Sequence, residues 1–130
     1  MINNIWEFRQ FLGSRLSSNI DAVFFINGIY DILCALTILR ILHIPVLNEL
    51  HLSVIKKYKN ENPLMERFLA YWLFTYGLMR IFGDRKIIAY SYFTEALFFG
   101  NEMVNYDTDT SKSGFIVISS ILLGILAIFG

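Results

Sequence analysis

Arg67–Glu102 reads RFLAYWLFTYGLMRIFGDRKIIAYSYFTEALFFGNE. Two apolar runs flank a polar turn, Gly83-Asp84-Arg85-Lys86. Phe68 to Met79 carries no charge, and most of its side chains are aromatic or large aliphatic. A helix on a water-soluble protein shows one apolar stripe and one polar face. Phe68–Met79 has no polar face, so its expected surroundings are lipid. After the turn, Ile87–Val104 is again mostly apolar but carries Glu95 and Glu102. The pair reads as a membrane hairpin.

The whole chain agrees with this stretch. Of 130 residues, 55% are hydrophobic and 17% charged, below the roughly 25% charge of ordinary soluble domains. Mean hydropathy is +0.51. Twelve Phe and seven Tyr suit a bilayer, where aromatic rings gather at the interfaces. Eleven acidic and eleven basic residues balance, so no basic surface for nucleic acid is expected. Cys34 stands alone, which excludes a disulfide framework. His43 and His51 lack a ligand pattern around them, so neither a metal nor a cofactor is expected. Met1–Ser18 holds Glu7, Arg9 and Arg15 and no continuous apolar core, so it does not read as a cleavable signal.

Taken in order, Ile2, Ile5, Phe8, Leu12 and Leu16 recur at helical spacing, flanked by Trp6 and Phe11, with Arg9 and Arg15 off the stripe. This predicts an amphipathic helix over 1–19 lying in the membrane interface, or docked on another subunit. Residues 22–42 form the first expected span; a helix of that length rises about 31 Å, enough for a hydrocarbon core of about 30 Å. Pro45 closes it. In 46–62, Leu47, Leu50, Val54 and Tyr58 share a face beside Lys56, Lys57 and Lys59, the pattern of a second interfacial helix. Further spans are expected at 64–82, 87–104 and 115–130, the last short for a crossing. Ser120 and Gly124, and separately Ala96 and Gly100, give small-xxx-small spacings that permit close helix contact. With four spans, Lys and Arg divide equally between the two sides, so no orientation follows. The expected fold is thus an all-α integral membrane bundle of about four transmembrane helices, with one or two interfacial helices, in a single domain.

An ionisable group near the bilayer centre costs about 2.5 kcal/mol or more and faces protein or water. Asp31, Glu95 and Glu102 are such groups, Asn27 shares the face of Asp31, and Arg80 follows Tyr76 on one face near the turn. A buried Arg80 reaching Glu95, with Asp31 and Asn27 across the bundle, would satisfy them mutually. Three roles are open to these groups: locking helices or a partner in register, an acid/base site on Asp31 with Glu95 or Glu102, or a proton or ion path. The residues expected to fix register or dock a partner are Asn27, Asp31, Arg67, Trp72, Arg80, Glu95 and Glu102. Trp6, Arg9, Arg15, Lys56, Lys57 and Lys59 are expected at the membrane interface.

Arg67-Phe68, Trp72-Leu73 and Arg80, followed by Phe98-Phe99-Gly100-Asn101-Glu102 and Val104-Asn105-Tyr106-Asp107-Thr108, resemble the ergosterol-biosynthesis scaffold proteins, the family numbered twenty-eight. Arg67 and Arg80 keep that family's thirteen-residue interval, whereas Phe98 stands where the family has His and Phe74 where it has Thr. The resemblance covers the central hairpin only. It implies a small four-span, non-catalytic protein of the endoplasmic reticulum membrane that tethers sterol-demethylation enzymes. Asn62-Pro63-Leu64 and the acids within the spans also resemble the emopamil-binding sterol isomerases, which would imply an enzyme. Residues alone equally allow an accessory subunit of a respiratory-type complex in the mitochondrial inner membrane. The expected partners are other integral membrane proteins and membrane lipids.

Overall fold

Polar residues at the ends of the apolar runs set where the helices begin. In this computed structural model, which describes residues 4–53, 63–106 and 108–130, the described residues are all-α, and their helices are α1 (Ile5–Arg15), α2 (Asn19–Ile38), α3 (Leu47–Leu52), α4 (Pro63–Phe82), α5 (Arg85–Asn105) and α6 (Thr110–Phe129). The side chains of Asn4, Ser18, Asp84 and Asp109 accept from backbone N–H groups of the first turns of α1, α2, α5 and α6, which satisfies donors that a helix start otherwise leaves bare. Pro63 opens α4, where its missing N–H costs nothing.

These caps correct the expected boundaries. The first long helix starts at Asn19 rather than 22 and ends at Ile38 rather than 42. Pro45 does not end it. Arg40 adopts φ 60°, Ile41 N–H donates to Leu36 O at 3.0 Å, and Arg40 N–H to Thr37 O at 3.1 Å. That double bond around a left-handed residue is a Schellman stop, a position usually held by Gly. The Arg side chain there costs roughly 1 kcal/mol. Arg40→Gly is therefore expected to raise resistance to unfolding in detergent by about that much, with Arg40→Ala giving no gain; thermal melts of the three proteins check this.

The last helix corrects the expectation in the other direction. It was expected over 115–130 as a short run. Asp109 starts it at Thr110 instead, so it has 20 residues. The helix expected over 87–104 runs from Arg85 to Asn105, and that expected over 64–82 starts at Pro63. The helix expected over 1–19 is confined to Ile5–Arg15. Of the connection 46–62, α3 occupies Leu47–Leu52, while Lys56, Lys57 and Lys59 lie outside the described residues.

Pairing does not follow the turn. Although α4 and α5 are joined at Gly83–Asp84, α4 packs chiefly on α2, and α5 chiefly on α6. The α2–α4 pair is close because Gly28 faces Gly77: a Cβ on Gly28 would lie 2.9 Å from Gly77 O, and one on Gly77 would lie 2.7 Å from Gly28 O. Farther along, Cys34, Ala35, Ile38, Ala70 and Leu73 form a core between these two helices. In the α5–α6 pair, Gly124 receives the ring of Phe93, and Ala96 and Ser120 are buried.

The two pairs meet at one end. There Phe24 of α2 packs with Ile88, Ala89 and Tyr92 of α5 and Ala127 of α6. Arg85 reaches across to Asp21 at 2.8 Å and to Leu126 O at 3.3 Å. Arg15 donates to Gly83 O at 2.7 Å and Phe82 O at 2.9 Å, capping carbonyls at the end of α4, and Phe11 stacks on Phe82 and meets Phe25 edge-on. Toward the other end the buried core of α5 stops at Ala96, and the pairs separate around a cleft.

Two described helices, Asn19–Ile38 and Thr110–Phe129, are long and apolar enough to cross a membrane. The matching lengths of α4 and α5 come with Glu66, Arg67 and Arg80 in one and Arg85, Lys86, Glu95 and Glu102 in the other. The described fold therefore supplies two such helices by composition where four spans were expected.

Candidate functional site

The most polar place in the molecule is its interior. Asp31 (2% exposed), Arg80 (2%), Glu95 (7%), Ser91 and Ser120 are all buried. With Asn27 and Tyr92 they arrive from four helices: Asn27 and Asp31, one turn apart, from α2; Arg80 from the last turn of α4; Ser91, Tyr92 and Glu95 from α5; Ser120 from α6. Helical spacing accounts for this convergence. Positions three and four apart share a face, so 27/31 and 91/92/95 each present a small polar strip to the centre.

Arg80 uses its whole fork. Its Nη1 donates to Asp31 Oδ2 at 2.5 Å and to Asn27 Oδ1 at 3.1 Å. Its Nη2 donates to Glu95 Oε2 at 2.5 Å, and its Nε to Ser91 Oγ at 3.2 Å. The guanidinium carbon lies 3.9 Å from the centre of the Tyr92 ring and 5.4 Å from that of Tyr76. A second layer fixes these partners. Tyr92 donates to Asn27 Oδ1 at 2.7 Å, Ser120 to Glu95 Oε2 at 3.0 Å, and Ser91 to Ile88 O at 2.7 Å. The planar guanidinium presents its donors in fixed directions that match two carboxylates and a hydroxyl at once, a geometry that the compact ammonium of a lysine at the same position does not reproduce.

Of the residues expected to act together, the structure joins Asn27, Asp31, Arg80 and Glu95. It leaves three aside. Glu102 shares a helical face with Glu95 but lies about 10 Å farther along α5 and is exposed. Arg67 is exposed near the start of α4. Trp72 is half exposed, its ring edge-on to Phe98 at 5.0 Å, and with Phe68, Phe99 and Glu102 it lines an outward groove between α4 and α5. Of the residues expected at an interface, Trp6 and Arg9 are exposed on α1, and Arg15 caps α4.

Tyr92 and the Gly28–Gly77 contact were not foreseen. Tyr92 was readable: it stands three before Glu95 on one face, and a buried phenol needs a partner. The glycine contact had only a faint signal, a lone Gly inside each of two apolar runs, with nothing to say that those two runs pair.

A cleft of about 610 Å³ opens over the cluster between α2 and α6, lined by Asn27, Asp31 and Glu95 at its buried end and by Ser111 and Lys112 at its exposed end. Among the described residues, no group of three His, Cys, Asp or Glu is placed to hold a metal ion. No protein-family model, curated protein or solved structure matches this chain, and the functional reading rests on the geometry of this cluster.

Proposed function

We propose that this chain is a four-span integral membrane protein that acts as a non-catalytic scaffold or accessory subunit of a larger membrane assembly, with the Arg80 cluster fixing how its helices meet. The observation that carries this reading is the inversion of polarity. Arg80, Asp31, Glu95 and Ser120 are inside, while Phe68, Phe74, Leu78, Phe82, Tyr90, Leu97, Phe98, Ile118 and Leu122 face outward. Patches of that extent belong against lipid or another protein. The charges that make α4 and α5 too polar by composition include Arg80 and Glu95, which the bundle neutralises. With them paired, the exposed side chains between the ends of the two helices include Phe68, Phe74, Leu78, Tyr90, Phe93 and Leu97. The apolar side chains of α1, none of them buried, fit a helix lying in the interface.

Non-catalytic is supported by how the acids are used. Both carboxylates of the cluster are bound by one guanidinium, the arrangement of a structural ion cluster that must be complete to repay its burial. The sterol-tether and respiratory-complex versions of this reading share the fold and differ in company. Gentle solubilisation of the tagged full chain followed by mass spectrometry is expected to recover one set of integral membrane enzymes in constant proportion. Sterol-pathway enzymes would assign it to the endoplasmic reticulum and respiratory subunits to the mitochondrial inner membrane. A chain that elutes alone at low detergent, with no constant companion, overturns the scaffold reading.

A further inference from the structure

The cleft above the cluster has a polarity gradient. At its buried end, among the described residues, two carboxyl groups face a single guanidinium, leaving one formal negative charge uncompensated. At its exposed end stands Lys112, about two turns along α6 from Ser120. Between them the walls are Leu50, Phe115 and Ile116, with the hydroxyl of Ser119. A volume of about 610 Å³ lies within the range of small-ligand sites. We propose that this cleft binds the headgroup of an aminophospholipid, its primary ammonium directed at Asp31 and Glu95 and its phosphate toward Lys112.

The chemistry selects this occupant. Each acid gives one oxygen to Arg80, Asp31 through Oδ2 and Glu95 through Oε2, and a carboxylate has acceptor capacity for more than one donor. A primary ammonium brings three N–H donors and one positive charge, which matches both the acceptors and the uncompensated charge. A simple cation would leave Lys112 with no counterpart, and an anionic headgroup would meet the carboxylates. A zwitterion with its cation inward suits both ends. The apolar walls continue to the lipid-facing surface through Phe115, a path along which acyl chains can lie. A trimethylammonium headgroup has the charge but no N–H, so the site distinguishes ethanolamine lipid from choline lipid. Hydrogen bonds to charged groups contribute about 1.5 kcal/mol or more, which is roughly tenfold in affinity.

This inference rests on the membrane reading above, and its test separates the two. The full chain is purified in micelles doped with equal amounts of dioleoyl phosphatidylethanolamine and dioleoyl phosphatidylcholine, and bound lipid is read by native mass spectrometry. The expected result is retention of the ethanolamine lipid over the choline lipid by about tenfold. Lys112→Glu, outside the cluster, should lower the retained amount of both lipids severalfold, leaving their ratio and the melting temperature unchanged. Glu95→Gln, which lowers the negative charge at the buried end, should reduce the ratio. Equal retention of both lipids, a total retention indifferent to Lys112→Glu, or full displacement by an equal concentration of free ethanolamine overturns the assignment. A chain that needs detergent yet shows no preference sinks this inference alone. A chain that is folded and monodisperse without detergent sinks the membrane reading.

Discussion

Arg80→Met is expected to lower stability by about 3–5 kcal/mol, enough that little folded protein survives extraction into detergent. The substitution keeps most of the side chain's volume and removes the one cation that Asp31 and Glu95 share. Two carboxylates then remain buried side by side with no cation between them. The loss comes from stranded charge rather than from a missing attraction, because a buried pair repays its desolvation only when it is complete. The distinguishing result is therefore a rescue. Arg80→Met combined with Asp31→Asn and Glu95→Gln removes every formal charge of the cluster and is expected to recover most of the lost stability, a strongly non-additive outcome. Arg80→Lys should fall between, since it keeps the charge but loses the rigid fork that points at both acids from this position. Denaturation by increasing sodium dodecyl sulfate, followed by circular dichroism, orders the four proteins. A triple variant as unstable as Arg80→Met would show that the cluster stabilises through shape and not through charge.

The second large effect concerns the seam between α2 and α4. Gly77→Ala puts a methyl group 2.7 Å from Gly28 O and 2.6 Å from Ile32 Cγ1. Backbone cannot yield as a side chain does, so the helices must move apart, and overpacking of this kind costs about 1–3 kcal/mol. Gly77→Leu should cost more and separate the pair. Gly124→Ala is the internal comparison. The atoms nearest its added methyl are ring atoms of Phe93, at 2.9 Å, and that ring is partly exposed and can swing. Gly13→Ala, with nothing within 4 Å, is expected to stabilise α1 slightly through helix propensity. The same detergent titration should rank the losses Gly77→Leu, Gly77→Ala, Gly124→Ala, with Gly13→Ala at or above the parent.

These two sites also mark what a reader of the sequence can and cannot see. The cluster was legible because an ionisable group in an apolar run is costly and must find its complement, and Asp31, Arg80 and Glu95 are the deep ones of opposite sign. Glu102 lies apart from the cluster because helical periodicity fixes direction around the axis and not depth along it. Helix ends were displaced for a related reason: hydropathy marks the part of a helix that suits lipid, whereas Ser18, Asp84 and Asp109 begin helices with polar residues. The partnership of α2 with α4 was invisible. A tight turn joins α4 to α5, and only the packing of Gly28 on Gly77 and of Phe93 on Gly124 decides that the closer contacts lie elsewhere.

The four-span reading is tested most directly by the sidedness of two exposed positions, Lys86 in the first turn of α5 and Ser111 in the first turn of α6. In a Cys34→Ala background, Lys86→Cys and Ser111→Cys are probed separately with a membrane-impermeant maleimide in sealed, oriented vesicles. If α4 and α5 cross the bilayer alongside α2 and α6, one of the two is labelled from outside and the other only after the vesicles are opened. Labelling of both from the same face would mean that α5 does not cross, and the account of a membrane bundle closed around Arg80 would be contradicted.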